Sequence, residues 1–371
     1  MRRIILPIIL ALSAILASCS TSVSVDYLSP SEIDMGRYRN VAVASTVAFK
    51  GFHNPPAYVR AGDSGSLSAL VPSSYTGSLA QDVASYATGS LVSSLRKTGF
   101  FNVLEPSITD PLVAKSRYGL SIADEVEALG IDAFIVPRIV SMDVNEFITS
   151  EREFIFDYSH LDDEGRPKRI MVVDYKLNQV VSLVYSYTVI DARTMTIYAT
   201  KTFSDKREFV EDVSMPFLRG TNPYAYFRWM LDDMTSLAAV QLAPRHSSVS
   251  LTLMENKPKA EAVEDAYKLA GDGYISQACI LFTQEWERSG HLPSGYNAAL
   301  LTAASGDLDG AIAILEEISS SYDSAEVDSL LSGLRDLRSR DSQARQQLSG
   351  EGPVTNYTDS DTSIFSVVMG A

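Results

Sequence analysis

Two stretches decide the fold: Gln179-Val-Val-Ser-Leu-Val-Tyr-Ser-Tyr-Thr-Val-Ile190 and Met195-Thr-Ile-Tyr-Ala-Thr-Lys-Thr-Phe-Ser204, separated by Asp191-Ala-Arg-Thr194. In the first, Leu183, Tyr185, Tyr187 and Val189 alternate with Ser182, Ser186 and Thr188. In the second, Met195, Ile197 and Ala199 alternate with Thr196, Thr200 and Thr202. Alternation with period two reads as a β-hairpin, and the half-polar second face reads as a sheet covered on one side.

Outward from this hairpin the pattern is mixed. Phe147 to Tyr158 and Met171 to Leu177 read as strands flanking the charged turn 160–167, Asn40 to Phe49 as a buried first strand, and Phe101 to Leu104 and Asp132 to Val140 as further strands. Pro137 suggests an edge or a bulge. Leu79, Val83, Ala87, Leu91 and Leu95 recur every four residues, with Gly99 at the end, which predicts a helix over 78–98. Ser121 opens a second helix. Asn222 and Pro223 open a third, whose stripe is Phe227, Met230, Leu231, Met234 and Leu237. The expected fold class is α+β, a mixed or antiparallel sheet covered by helices over residues 36–245.

After residue 258 the composition turns helical and the chain repeats itself with an offset of 33 residues. Ala266 matches Ala299, Ala270 matches Ala303, Gly273 matches Gly306, Ala278 matches Ala311, and Phe282 matches Leu315. Small residues let paired helices approach, the glycine makes the tight turn, and the large residue fills the groove to the next pair. This resembles the tetratricopeptide repeat. Neither first helix carries the family's early aromatic residue, and no proline closes either unit. The expected helical repeat domain spans 259–348, with a last helix from Ala325 capping the stack. Residues 246–258 are expected to be a connector, and 349–371 a largely disordered tail.

The chain begins Met1-Arg-Arg-Ile-Ile-Leu-Pro-Ile-Ile-Leu-Ala-Leu-Ser-Ala-Ile-Leu-Ala-Ser-Cys19. A positive start, an apolar run too short to span a bilayer and small residues before a cysteine form a secretory signal. Leu16-Ala17-Ser18-Cys19 resembles the lipobox of bacterial lipoproteins. That resemblance implies cleavage after residue 18, acylation of Cys19 and a partner in membrane lipid, with residues 19–35 as a tether. Ser20 is compatible with sorting to the outer membrane, facing the periplasm. With Cys19 acylated, Cys279 has no intrachain partner. It lies on the helical stripe Ile275, Cys279, Phe282, Trp286 and reads as a small core hydrophobe.

The 371-residue chain has a net charge of −15. That argues against nucleic acid and against broad adhesion to anionic lipid. No chemistry is legible. Gly62-Asp-Ser-Gly65 lacks the continuation of a protease nucleophile motif, and the four histidines (His53, His160, His246, His291) are scattered. Asp162-Asp-Glu-Gly165 is not a calcium loop, and Asp232-Asp233 sits on a polar helix face. No enzyme, cofactor or metal is expected. The loop 50–77, with Phe52, Tyr58 and Tyr75, is a candidate contact surface.

Taken in order, the chain resembles a group of bacterial envelope lipoproteins that join a lipobox, an α/β domain and a tetratricopeptide-like segment. The resemblance is carried by Cys19, Leu28-Ser-Pro-Ser-Glu-Ile33, Leu129-Gly-Ile-Asp-Ala-Phe-Ile-Val136, Tyr296-Asn-Ala-Ala-Leu300 and Ser305-Gly-Asp-Leu-Asp-Gly-Ala311. The order strand, helix, Gly-Phe-Phe-Asn-Val, helix, Leu-Gly-Ile-Asp is similar to a domain of curli-secretion channel subunits and of lipoproteins that activate penicillin-binding proteins. The resemblance implies an interaction or scaffold protein whose partner is an envelope protein or peptide. The alternatives are an oligomeric secretion-channel subunit, with Gln179–Ser204 entering the membrane, or an envelope hydrolase with a dispersed site.

Overall fold

A computed structural model describes residues 21–52, 58–59, 78–213 and 222–350. The strands are β1 (Ser22–Ser29), β2 (Asn40–Val43), β3 (Tyr58–Val59), β4 (Asn102–Leu104), β5 (Ala133–Leu161), β6 (Pro167–Asp191), β7 (Ile197–Val213) and β8 (Arg245–Thr252). The helices are α1 (Leu79–Lys97), α2 (Pro106–Arg117), α3 (Ala123–Leu129), α4 (Tyr224–Leu242), α5 (Glu264–Gly271), α6 (Ile275–Ser289), α7 (Leu292–Ala304), α8 (Leu308–Ser321) and α9 (Ala325–Ser349). The chain divides into two compact units. A sheet unit comprises described residues between 32 and 243; a helical unit joins residues 21–31 to 244–350.

The sheet unit is a mixed sheet of order β4-β2-β5-β6-β7, with β3 also pairing β5. β2 runs parallel to β4 and β5, while β5, β6 and β7 are antiparallel. The α+β expectation therefore stands: a sheet with helices, followed by several helices. One face buries Val41, Ile135, Tyr187 and Val189, then Met142, Val144, Leu183 and Tyr185, with side chains from α1 and α4 in the same clusters. α1 forms because its apolar residues share one face, and Leu79, Val83, Ala87, Leu91 and Leu95 are all buried. Arg96 and Lys97 sit at its negative C-terminal end, and Gly99 leaves it at φ +64°. At the root the other face is covered too: Phe134, Val136 and Ile190 pack with Leu112, Val113 and Val126 of α2 and α3. One-sided cover is thus corrected to two-sided cover at that end.

Further differences have local causes. α2 has no expected counterpart: only Thr109, Leu112 and Val113 of it are buried, and Pro111 interrupts its pattern. In α4, Leu237 is exposed and Ala238 takes its place in the core. The first strand ends at Val43, after which Val47 makes only an isolated bridge to Arg138. The carbonyl of Pro137 accepts from Val47 N at 3.1 Å, so its missing N–H faces the side where β2 has stopped. The bulge falls nearby, between Ile139 and Ser141. It shifts the side-chain parity by one, which keeps Met142 and Val144 on the core face with Ile139. Met195 has φ +56° in the turn, and β7 starts only at Ile197.

The Tyr185 hydroxyl is fully buried and finds no partner among the described residues. Burial pushes its ionisation far up. Its neighbour Tyr187 donates to Gln241 Oε1 at 3.0 Å. An unsatisfied buried hydroxyl costs about 1–3 kcal/mol. Tyr185→Phe is therefore expected to raise stability by about 1 kcal/mol in urea denaturation, and a loss of stability would mean the hydroxyl has a partner.

The helical unit revises the domain plan. The expected tether contains β1 and the expected connector all of β8 but Arg245; the two strands pair antiparallel from Ser22–Thr252 to Ser29–Arg245. Val23 and Val25 of β1 are buried in the helical core. Serines that look like linker composition are the outward half of an alternating strand, because β1 reads exposed-buried-exposed-buried from Ser22.

The 33-residue repeat extends to the backbone. Asp272 N to Lys268 O, Gly273 N to Ala270 O and Tyr274 N to Leu269 O recur as Ser305 N to Leu301 O, Gly306 N to Ala303 O and Asp307 N to Thr302 O. Gly273 and Gly306 take φ +84° and +93°, which a side chain would strain. Ala266, Ala270, Ala278, Phe282, Ala299, Ala303, Ala311 and Leu315 are all buried in one core. Cys279 is half-buried, its thiol 3.5 Å from Thr302 Oγ1.

Candidate interaction surface

The sites expected from sequence scatter. Cys19 and Tyr75 lie outside the described residues, as do the signal and residues 351–371 of the expected tail, whose first residue, Ser349, closes α9. Phe52 is half-buried against the sheet core. Tyr58 belongs to β3, whose backbone pairs it with Phe147. The repeat residues form a core, not a surface. Gln179–Ser204, the stretch considered for membrane entry, lies within the sheet on β6 and the first half of β7, with Tyr185 and Tyr187 fully buried.

A different hairpin is exposed. β5 and β6 pair without a break from Ser141–Val184 to Asp157–Lys168. β7 follows β6 only as far as Tyr175, which pairs with Val213. Beyond that, among the described residues, 152–161 and 167–174 form a two-stranded arm. Its turn closes on Asp162: Oδ1 accepts from Glu164 N and Arg166 N, both at 2.9 Å, and Gly165 supplies φ +78°.

The arm has two chemically distinct faces. Along β5, Val144, Glu146 and Ile148 are buried on the core face. Period two then carries that face outward through Ser150, Arg152, Phe154, Phe156 and Tyr158. Opposite them stand Tyr175, Val173, Met171 and Arg169. Phe154, Phe156, Tyr158 and Met171 are 55%, 60%, 78% and 53% exposed. The Arg169 guanidinium lies 4.2 Å from the Phe154 ring centroid. So the core stripe runs past its helical cover as an aromatic, cationic surface. The other face carries Glu151, Glu153, Ile155 and Asp157, opposite Asp174, Val172, Ile170 and Lys168. It is acidic with an apolar middle.

At the root of the stripe, Glu146 accepts from Gln179 Nε2 at 2.5 Å. Burial raises its pKa against that hydrogen bond.

A second polar site lies at the opposite end of the sheet, a cavity of about 490 Å³ lined by Tyr38, Asp132, Asp191 and Arg193 among others. Its carboxylates are already engaged. Asp132 Oδ2 accepts from Arg39 N and Asn40 N at 2.9 and 2.7 Å. Asp191 accepts from Tyr38 Oη, Arg193 N, Thr194 N and Thr194 Oγ1 at 2.8–3.0 Å. Burial, then the hydrogen bond to Asp191, pushes the Tyr38 pKa up to about 12. These groups tie loop to sheet. Among the described residues no group of three or more His, Cys, Asp or Glu is placed to hold a metal ion. Among them too, no helix is long and apolar enough to cross a membrane.

The chain is similar in structure to the PelC dodecamer from Paraburkholderia phytofirmans, at 12% identity and a TM-score of 0.23 over 60% of this chain and 98% of that one. It is similar also to lipoprotein GNA1162 from Neisseria meningitidis, at 10% identity and 0.20, over 54% and 98%. A third is protein XCC0632 from Xanthomonas campestris, at 15% identity and 0.18, over 57% and 85%. No protein-family model matches the chain, and no curated protein matches it.

Proposed function

We propose that this chain is a lipid-anchored lipoprotein of the bacterial cell envelope that acts by protein contact rather than catalysis, with the β5–β6 arm as its contact surface. The observation that carries the reading is the continuation of the core face onto an arm that no described helix covers. Burying a large apolar side chain contributes about 1.5–3 kcal/mol. Phe154, Phe156, Tyr158 and Met171 together supply an apolar driving force that works against the cost of association.

The anchor is Cys19, and the membrane is the outer one, seen from the periplasm. β1 begins at Ser22, so only Ser20 and Thr21 separate the acylated residue from a folded strand. The helical unit, read as a divergent tetratricopeptide-like pair with α9 as its cap, is then held near the headgroups. Cys19→Ala is expected to move the protein from the membrane to the soluble envelope fraction; a variant still on the membrane would show a second anchor.

A channel-subunit reading would send the arm into the bilayer. Arg152 and Arg169 stand on the apolar face, and an arginine facing lipid near the midplane costs about 2–4 kcal/mol. Two of them offset most of what the aromatic residues gain, so the arm favours protein.

The test is a photo-reactive amino acid at Phe156 in living cells, with Tyr118, 83% exposed on the same unit, as control. A discrete protein adduct from position 156 but not 118 is expected. No adduct, or the same adducts from both, sinks the arm as contact surface.

A further inference from the structure

We infer that the arm's partner is a second copy of this chain, with the aromatic face of one arm packed on the acidic face of the next. The inference rests on the arm being the contact surface and adds what occupies it.

The two faces complement each other in charge. One carries Arg152 and Arg169 among aromatic residues. The other carries Glu151, Glu153, Asp157 and Asp174 against Lys168 and Lys176, and Lys176 is tied to Glu151 at 3.1 Å. They also complement in apolar content, since Phe154 and Met171 lie at the same level as Ile155 and Ile170. Stacked sheets lie about 10 Å apart, and neighbouring residues are about 3.4 Å apart along a strand. A copy displaced along the sheet normal therefore brings its Arg152 level with Glu151 and Glu153 of the first.

The isolated arm also holds a like-charge pair. Glu151 stands directly opposite Asp174. Like charges facing across a strand pair are destabilising. Lys176 already binds Glu151 at 3.1 Å; an incoming guanidinium adds a further counter-charge to the pair, and an anionic bilayer does not.

Because the contacting faces differ, each copy engages two neighbours. Such a heterologous contact builds a ring or a filament, not an isolated dimer. Each face measures roughly 30 by 10 Å from strand spacings. That is below a standard interface, so assembly should strengthen with concentration.

The experiment is light scattering after size exclusion of the full lipoprotein in detergent, over a range of concentrations. The native protein is expected to run at more than two chain masses. Arg152→Glu with Arg169→Glu, and separately Glu153→Lys with Asp174→Lys, are each expected to reduce it to one chain mass. Mixing the two variants is expected to restore the large species, since each then meets its complement. All four positions are exposed, and unchanged melting of the variants shows the fold is kept. A native protein of one chain mass at every concentration, an assembly indifferent to the acidic-face reversal, or a mixture that stays at one chain mass overturns the inference. So does arm-dependent flotation of the Cys19→Ala protein on phosphatidylglycerol vesicles while the native protein runs as one chain. A position-156 adduct to a different protein also overturns self-pairing, yet leaves the arm as contact surface; absence of any adduct removes both.

Discussion

Phe282→Ala is expected to destabilise the helical unit by about 3–5 kcal/mol, the range for truncating a buried phenylalanine. Phe282 is fully buried at the centre of that core. Its ring meets Tyr267 edge-to-face at 4.9 Å. The Tyr267 hydroxyl donates to Met254 O at 2.6 Å and accepts from Asn297 Nδ2 at 2.9 Å. Asn297 also accepts from Met254 N at 2.7 Å. A cavity at position 282 therefore loosens the tie between the segment after β8 and α7 as well as the helix packing. The two tryptophans make the measurement specific, since Trp286 lies in α6 and Trp229 in α4. In a Trp229→Phe background, urea denaturation followed by Trp286 emission reports the helical unit. A shift below about 1 kcal/mol would mean the site collapses around the smaller side chain and Phe282 is not a keystone.

Legibility from sequence followed the range of the forces involved. Where one face of an element is buried along its whole length, the period shows it: α1, α4 and the β6–β7 hairpin were readable from their apolar positions. The repeat was readable because small residues and a left-handed glycine leave a spaced signature. Short or interrupted patterns were not: α2 buries barely one turn and contains Pro111. β1 and β8 were lost to composition, since serines on the outward half of a strand look like a linker. The arm was half legible. Its strands and charged turn could be expected, but not that the helices covering the sheet stop short of it. Arg152, Phe154, Phe156 and Tyr158 alternating with Glu151, Glu153 and Asp157 was the available signal. The more regular Gln179–Ser204 outweighed it, although a membrane role and a buried core demand the same alternation from a strand.

Asp191→Ala is expected to destabilise the sheet unit by about 3 kcal/mol at neutral pH, because hydrogen bonds to a charged group contribute about 1.5–3 kcal/mol and stranded donors add a desolvation cost. Asp191 ends β6 and holds the turn that leads into β7, accepting from Arg193 N and from Thr194 N and Oγ1. It also accepts a hydrogen bond from Tyr38 Oη at 2.8 Å, and Arg37 approaches it at 3.8 Å. Burial raises its pKa, but the hydrogen bonds from Thr194, Tyr38 and Arg193 outweigh that and hold it below the ordinary carboxylate value. A carboxylate with a depressed folded pKa stabilises the fold above its unfolded pKa, near 3.9, and loses that contribution as pH falls through the folded value. The gap between native protein and Asp191→Ala should thus be constant from pH 7 to about 5 and narrow below about 4. Urea denaturation read by Trp229 in a Trp286→Phe background measures it. A gap that stays constant into strong acid would show that Asp191 acts through packing alone. A gap that widens there would reverse the sign of its contribution.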